Sequence, residues 1–124
     1  MQTNRIVDIT GLDLLSSLEE LYLSHNGIQE IGGLDKLVGL KVLDLAGNQI
    51  KHVANVDHLA SLEDFWFNDN ALFENLDEID QFAGASPNLT TIYLYGTAAC
   101  KAAGSAYRSR VKALIPSIMQ IDDH

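Results

Sequence analysis

Leu62-Glu63-Asp64-Phe65-Trp66-Phe67-Asn68-Asp69-Asn70 is one of four stretches cut to a single template, LxxLxLxxN. Leu18–Asn26 and Leu40–Asn48 fit it with leucine at every apolar place, and Leu89–Thr97 fits with threonine for the final asparagine. The stretches begin 22, 22 and 27 residues apart. Between them runs a second regularity, NxIxxIxxLxxL, seen at Asn26, Ile28, Ile31, Leu34 and Leu37 and again at Asn48, Ile50, Val53, Val56 and Leu59. A fixed period of this size means stacked units, none of which can bury its apolar face alone.

Each position has a physical reading. The LxL core predicts a short parallel strand, with alternate side chains on opposite faces. Its leucines point inward onto those of the next unit, and the residues between and beside them point outward. The asparagine turns the chain, and its amide can bond backbone groups that would otherwise be buried unpaired. The IxxIxxL segment returns along the far side as 3₁₀ or helical turns. The fold class is therefore an α/β leucine-rich-repeat solenoid: a short parallel concave sheet, a 3₁₀/helical convex side and a C-terminal helical cap. We divide this single domain, 1–124, into a partial repeat at 1–17, repeats at 18–39, 40–61, 62–88 and 89–99, and a cap at 100–124.

The units are not identical. The long third repeat carries Phe73–Phe82, where Leu76, Ile79 and Phe82 predict a helix with Asp77, Glu78 and Asp80 as its wet side. Ser105 is placed to cap a helix over about 106–114, with Tyr107, Val111 and Leu114 on one face and Pro116 ending it. Ile118 and Ile121 complete a lid. At the other end Asn4, Ile6, Ile9, Leu12 and Leu15 match only the second half of a repeat. The expectation is an uncapped edge near Glu20–Leu23 that allows self-association.

Composition narrows the function. The formal charge of −9 repels nucleic acid, and the four cations clustered at Lys101, Arg108, Arg110 and Lys112 read as the wet side of a short helix. No apolar run reaches membrane-spanning length, and no signal peptide is evident, so no membrane partner is expected. One cysteine, Cys100, allows no internal disulfide and reads as a plain loop residue; a reducing, intracellular compartment follows. His25, His52, His58 and His124 are scattered and read as surface residues without ligand spacing. The sequon Asn88-Leu89-Thr90 reads as incidental. No catalytic group, metal or cofactor is expected: Asp44 and Asp64 on adjacent strands could share a proton or metal, but an open face offers no pocket.

The outward positions are more telling. A central column holds Tyr22, Asp44, Trp66 and Tyr93, flanked by Glu20, Val42, Asp64 and Thr91 on one side and Ser24, Ala46, Asn68 and Tyr95 on the other. The only tryptophan and three of four tyrosines thus face outward among carboxylates, a composition that suits a basic protein surface. The expected protein-binding residues are Glu20, Tyr22, Asp44, Asp64, Trp66 and Tyr93, with the indole as anchor.

The 22-residue period with NxIxxIxxL, the run L-E-D-F-W-F-N-D-N at 62–70, the opening Met1–Arg5, the run Glu20–Ile28 and the ending Tyr107–Asp122 together resemble the Sds22-like regulatory subunits of protein phosphatase 1, in their C-terminal portion. The resemblance implies a non-catalytic regulator, in nucleus and cytoplasm, that grips the catalytic subunit of protein phosphatase 1 with its concave face. The family's contacting Asp, Glu, Trp and Tyr fall on Asp44, Asp64, Trp66 and Tyr93. Asp64 departs from the family's Glu, and Gly96-Thr97-Ala98-Ala99 replaces its Asn-Pro turn. The alternative is a scaffold of the same repeat class for another protein, as in axonemal dynein light chains or a splicing complex; the F-W-x-N-D-N stretch separates the two.

Overall fold

The computed structural model describes residues 17–34 and 37–122. The template stretches form β1 (Glu20–Tyr22), β2 (Val42–Asp44), β3 (Asp64–Trp66) and β4 (Thr91–Tyr93). They pair in parallel and in chain order, with Glu20, Val42, Asp64 and Thr91 in one register row and Tyr22, Asp44, Trp66 and Tyr93 in another. The strands are short because the asparagine (Thr97 in the last) three places past the template's final apolar residue turns the chain. Residues 1–16 of the partial repeat at 1–17, and His124, lie outside the described residues. Leu21 and Leu23 at the first strand are buried, so the apolar surface expected to be uncovered there is not open.

Inward-pointing Leu43, Leu45, Phe65, Phe67, Ile92 and Leu94 are all fully buried, as are the convex-side Ile28, Ile50, Val56 and Leu59. One continuous core runs from β1 to the cap. The third repeat is filled by aromatic rings: Phe65 meets Phe82 at 4.8 Å, and Phe67 meets Phe73 edge-on at 5.2 Å.

The asparagines act as a ladder. Asn48 Nδ2 donates to its own repeat's Leu45 carbonyl and to Leu23 of the preceding one, while its Oδ1 accepts from the Asn26 and Ile28 amides. Asn70 repeats the pattern on Phe67, Leu45 and Ile50. Threonine suffices in the last repeat: Thr97 Oγ1 donates to Leu94 and accepts from Cys100, starting helix α2 (Ala98–Ala103). Cys100 therefore lies on a helix rather than in a loop. A second set of side chains bonds carbonyls of the preceding repeat on the convex side: Asn55 to Ile31, His58 to Leu34, Ser86 to Leu59 and Ser117 to Leu89. His58 is thus a partly buried structural donor, not a free surface histidine.

The long repeat turns through a 3₁₀ segment, Leu76–Asp80, into α1 (Gln81–Ala85). The three-residue spacing of Leu76, Ile79 and Phe82 is the period of a 3₁₀ helix. Glu78 is not simply solvated: it accepts from the Val53 amide at 2.8 Å and pairs with His52 at 2.9 Å, while Gln81 donates to the Val53 carbonyl. Side chains thus pair a peptide that lies against the longer repeat.

The cap begins as expected and ends differently. A 3₁₀ turn, Gly104–Ala106, leads into α3 (Tyr107–Leu114), so Ser105 lies within that turn and provides no side-chain cap. The chain then returns to the sheet as a fifth parallel strand, β5 (Gln120–Ile121), against β4. Just beyond it Asp122 adopts φ 58°, leaving the strand line. Its buried carboxylate then takes the Leu94 and Tyr95 amides, at 2.8 and 3.1 Å, and the Tyr107 hydroxyl at 3.0 Å. In the earlier repeats the equivalent amides of Leu23, Leu45 and Phe67 bond carbonyls of the next strand. Asp122 supplies with a side chain what a continuing strand would supply with its backbone.

Asp122→Ala leaves those donors buried and unpaired, and it is expected to cost about 3 kcal/mol in urea unfolding. A loss below about 0.5 kcal/mol would show that the carboxylate does not close the sheet.

Candidate protein-binding face

The register row Tyr22–Asp44–Trp66–Tyr93 forms the middle of the open sheet face. Strand alternation puts these side chains opposite the leucine core, and the structure gathers three of the four into a row of rings. Trp66 stacks on Tyr93 with centroids 5.7 Å apart and planes 11° apart, and it meets Tyr22 at 5.8 Å. Tyr22 and Trp66 stand two strands apart, a separation of about 9.6 Å at the backbone. Their rings therefore converge over the strand between them, and the residue there is Asp44.

That convergence corrects the expectation for Asp44. Asp44 is buried, 6% exposed, on the strand between Tyr22 and Trp66, and its side chain accepts from the Ala46 amide at 3.1 Å and bonds Ser24. It serves the turn at the end of β2 and does not stand ready for a partner's cation. Burial raises its pKa above the ordinary aspartate value, although the Ala46 and Ser24 hydrogen bonds and His25 pull the other way. Asp64 is half-buried and bonded to Thr91 on β4, so the two aspartates turn to different neighbours and do not form a shared-proton pair. Its pKa is also raised, first by burial and then by the charges of Glu63 and Glu20.

The acidic surface left open is Glu20 with Asp64 and Glu63. Glu20 accepts from the Tyr22 hydroxyl at 2.7 Å, which fixes the ring's tilt and raises the Tyr22 pKa. The flanking column beyond the rings is narrower than expected: Ser24, Ala46 and Asn68 are buried, because the asparagine turns close over them, while Tyr95 stays half-exposed. One group that sequence reasoning missed is the Trp66 indole N–H. It is buried and, among the described residues, has no hydrogen-bond partner. No sequence signal marks it, since the position of Nε1 depends on ring tilt.

Among the described residues no group of three or more His, Cys, Asp or Glu side chains gathers to hold a metal ion, and no helix is long and apolar enough to cross a membrane.

Sheet, ladder and outward face define a leucine-rich-repeat fold. The family profile described as Leucine Rich repeats (2 copies) matches residues 16–61. No curated protein matches the chain in sequence. Among solved structures, an internalin from Listeria monocytogenes matches over 100% of this chain and 34% of its own, at 25% identity and TM-score 0.77. The SNF/U2A′ complex of Drosophila melanogaster matches over 100% of this chain and 71% of its own, at 21% identity and TM-score 0.86. A leucine-rich-repeat protein of Leptospira interrogans matches over 85% of this chain and 25% of its own, at 25% identity and TM-score 0.66. The chain thus spans about a third of the internalin and a quarter of the Leptospira protein.

The Asp44 environment makes a pH prediction. A carboxyl whose pKa is raised by folding stabilises the native state below its unfolded value of 3.8, and that contribution is lost as pH rises through the folded value. Asp44→Asn never acquires the charge and keeps an oxygen for the Ala46 amide. Its thermal midpoint is expected to exceed the parent's at pH 7 and to converge with it at about pH 3. A variant less stable than the parent at neutral pH would mean that the carboxylate charge supports the turn.

Proposed function

We propose that the chain is a non-catalytic protein-binding module that engages the catalytic subunit of protein phosphatase 1 through its concave face, in nucleus and cytoplasm. The partner's identity rests on the F-W-F-N-D-N run and the other stretches that resemble Sds22-like subunits. The observation that carries a binding role is the row of contacting rings Tyr22–Trp66–Tyr93, offered on the open sheet face beside Glu20 and Asp64.

The chemistry supports this reading. Aromatic side chains bring large apolar area with few rotatable bonds, and interfaces concentrate their binding energy on such anchors. Here the rings hold one another in place, so little freedom remains to be lost on docking. Glu20, Asp64 and Glu63 repel one another, and a partner's arginine or lysine relieves that repulsion. The buried Trp66 N–H is a donor still lacking an acceptor, which a docking backbone carbonyl can satisfy after a small ring shift. Of the six residues expected to bind, the proposal keeps Glu20, Tyr22, Asp64, Trp66 and Tyr93. It assigns Asp44 to holding the floor beneath them.

Two substitutions test this together, with the chain immobilised and the phosphatase catalytic subunit titrated. Trp66→Ala is expected to weaken binding about 30-fold, equivalent to about 2 kcal/mol. Asp44→Asn is expected to leave it unchanged. Equal affinity for parent and Trp66→Ala would remove the indole as anchor. Failure of the parent to bind would move the proposal to another protein partner, as in the splicing-type or dynein-type alternative.

A further inference from the structure

The last strand of any open sheet carries backbone groups with no neighbour, and these recruit further strands. In β5 the amides of Gln120 and Asp122 donate to Thr90 and Ile92 across to β4. Alternation along a parallel strand therefore turns the N–H and C=O of Ile121 away from β4, toward the outer edge. That carbonyl accepts from Arg108 Nη1 at 2.9 Å. The segment leading into β5 is treated alike: Lys112 Nζ donates to the Pro116 carbonyl at 2.8 Å and to that of Ile118 at 2.5 Å. Beside these cations lies an open hollow lined by Ile118, Met119 and Ile121, and Met119 is 84% exposed.

We propose that Arg108 and Lys112 guard this edge, keeping a second copy of the chain from pairing its own β5 against it. The cations of α3 are thus more than the wet side of a helix. Without them the edge has what a strand partner needs: an outward donor and acceptor on Ile121 and an apolar side chain, Met119, next to it. Two copies related by a two-fold axis present identical edges, so Ile121 of each exchanges both hydrogen bonds with the other, and Met119 gains an apolar neighbour. The guard acts in two ways. Arg108 occupies the acceptor, and the same pairing drives Arg108 and Lys112 of one copy against those of the other. Half of the chain's eight Lys and Arg residues lie at Lys101, Arg108, Arg110 and Lys112; Arg110 is held by Asp77, and Arg108 and Lys112 bring like charge to the edge although the chain as a whole is acidic.

The test uses sedimentation velocity over a concentration series, with hydrogen exchange at the Ile121 amide. For Arg108→Ala/Lys112→Ala the expected result is a rise toward the dimer with concentration and slowed exchange at Ile121 in concentrated samples only. The parent and the charge-keeping Arg108→Lys/Lys112→Arg variant are expected to show neither change at Ile121. Circular dichroism and Trp66 fluorescence report whether the cap stays folded. Should the double variant unfold, Arg108→Ala alone, which leaves Lys112 on its carbonyls, gives the decisive reading. A folded variant that stays monomeric, or that dimerises with Ile121 exchange unchanged, overturns the proposal, as does slowed, concentration-dependent exchange at Ile121 in the parent.

Discussion

The structure depends on pairing peptide groups where each strand stops. A strand of three residues has barely begun its ladder before the chain turns, and the turn leaves carbonyls and amides next to a leucine core that cannot solvate them. Asn48 and Asn70 answer this with one side chain that both donates and accepts, and Asn26 donates to the Leu23 and Ser24 carbonyls. Because Asn48 and Asn70 each reach back to the preceding repeat, the bond that closes one turn also fixes the distance to its neighbour. The register across β1 to β3 follows from that spacing, and with it the alignment of the outward residues on those strands.

The same requirement explains the exceptions. Thr97 has only a hydroxyl, so it can serve its own repeat but not the one before, and the chain turns there into α2. Asp122 meets the demand at the last pairing with a carboxylate in place of a backbone carbonyl. In the long repeat Glu78 and Gln81 act on either side of the Val53 peptide, one accepting and one donating. Substitutions in the repeat template thus coincide with changes in who pairs a buried peptide, and each keeps the solenoid continuous.

Much of this was legible in the sequence because it is periodic. Two-residue alternation places Tyr22, Asp44, Trp66 and Tyr93 on one face, and the structure puts them in one register row. What escaped was set by side-chain reach across neighbours. Whether Asp44 meets solvent depends on the tilt of rings carried by β1 and β3, which its own strand does not encode. Glu78 sits at an outward spacing on its 3₁₀ turn yet is long enough to reach Val53, whereas Asp77 beside it meets Arg110 of α3 instead. β5 was hidden because two residues carry no alternation to detect; Ile118 and Ile121 read equally well as part of a lid. The burial of Ser24, Ala46 and Asn68 likewise comes from the turns that fold over them.

The burial of Asp44 also bears on how such a face can be both rigid and sticky. An exposed row of rings on three strands would be free to splay, because consecutive strands leave gaps wide enough for each ring to rotate. A large residue at the middle position would keep Tyr22 and Trp66 apart. The short aspartate lets them close to 5.8 Å, and its carboxylate turns down to the Ala46 amide, so it adds no bulk at ring height. The charge cost of burying it is set against a firmer contact between the rings, each such pair contributing about 1 kcal/mol. Tyr22 is then held from two sides, by Trp66 through its ring and by Glu20 through its hydroxyl. A small buried acid in the second repeat therefore makes a continuous apolar surface from aromatic residues that the sequence places two strands apart.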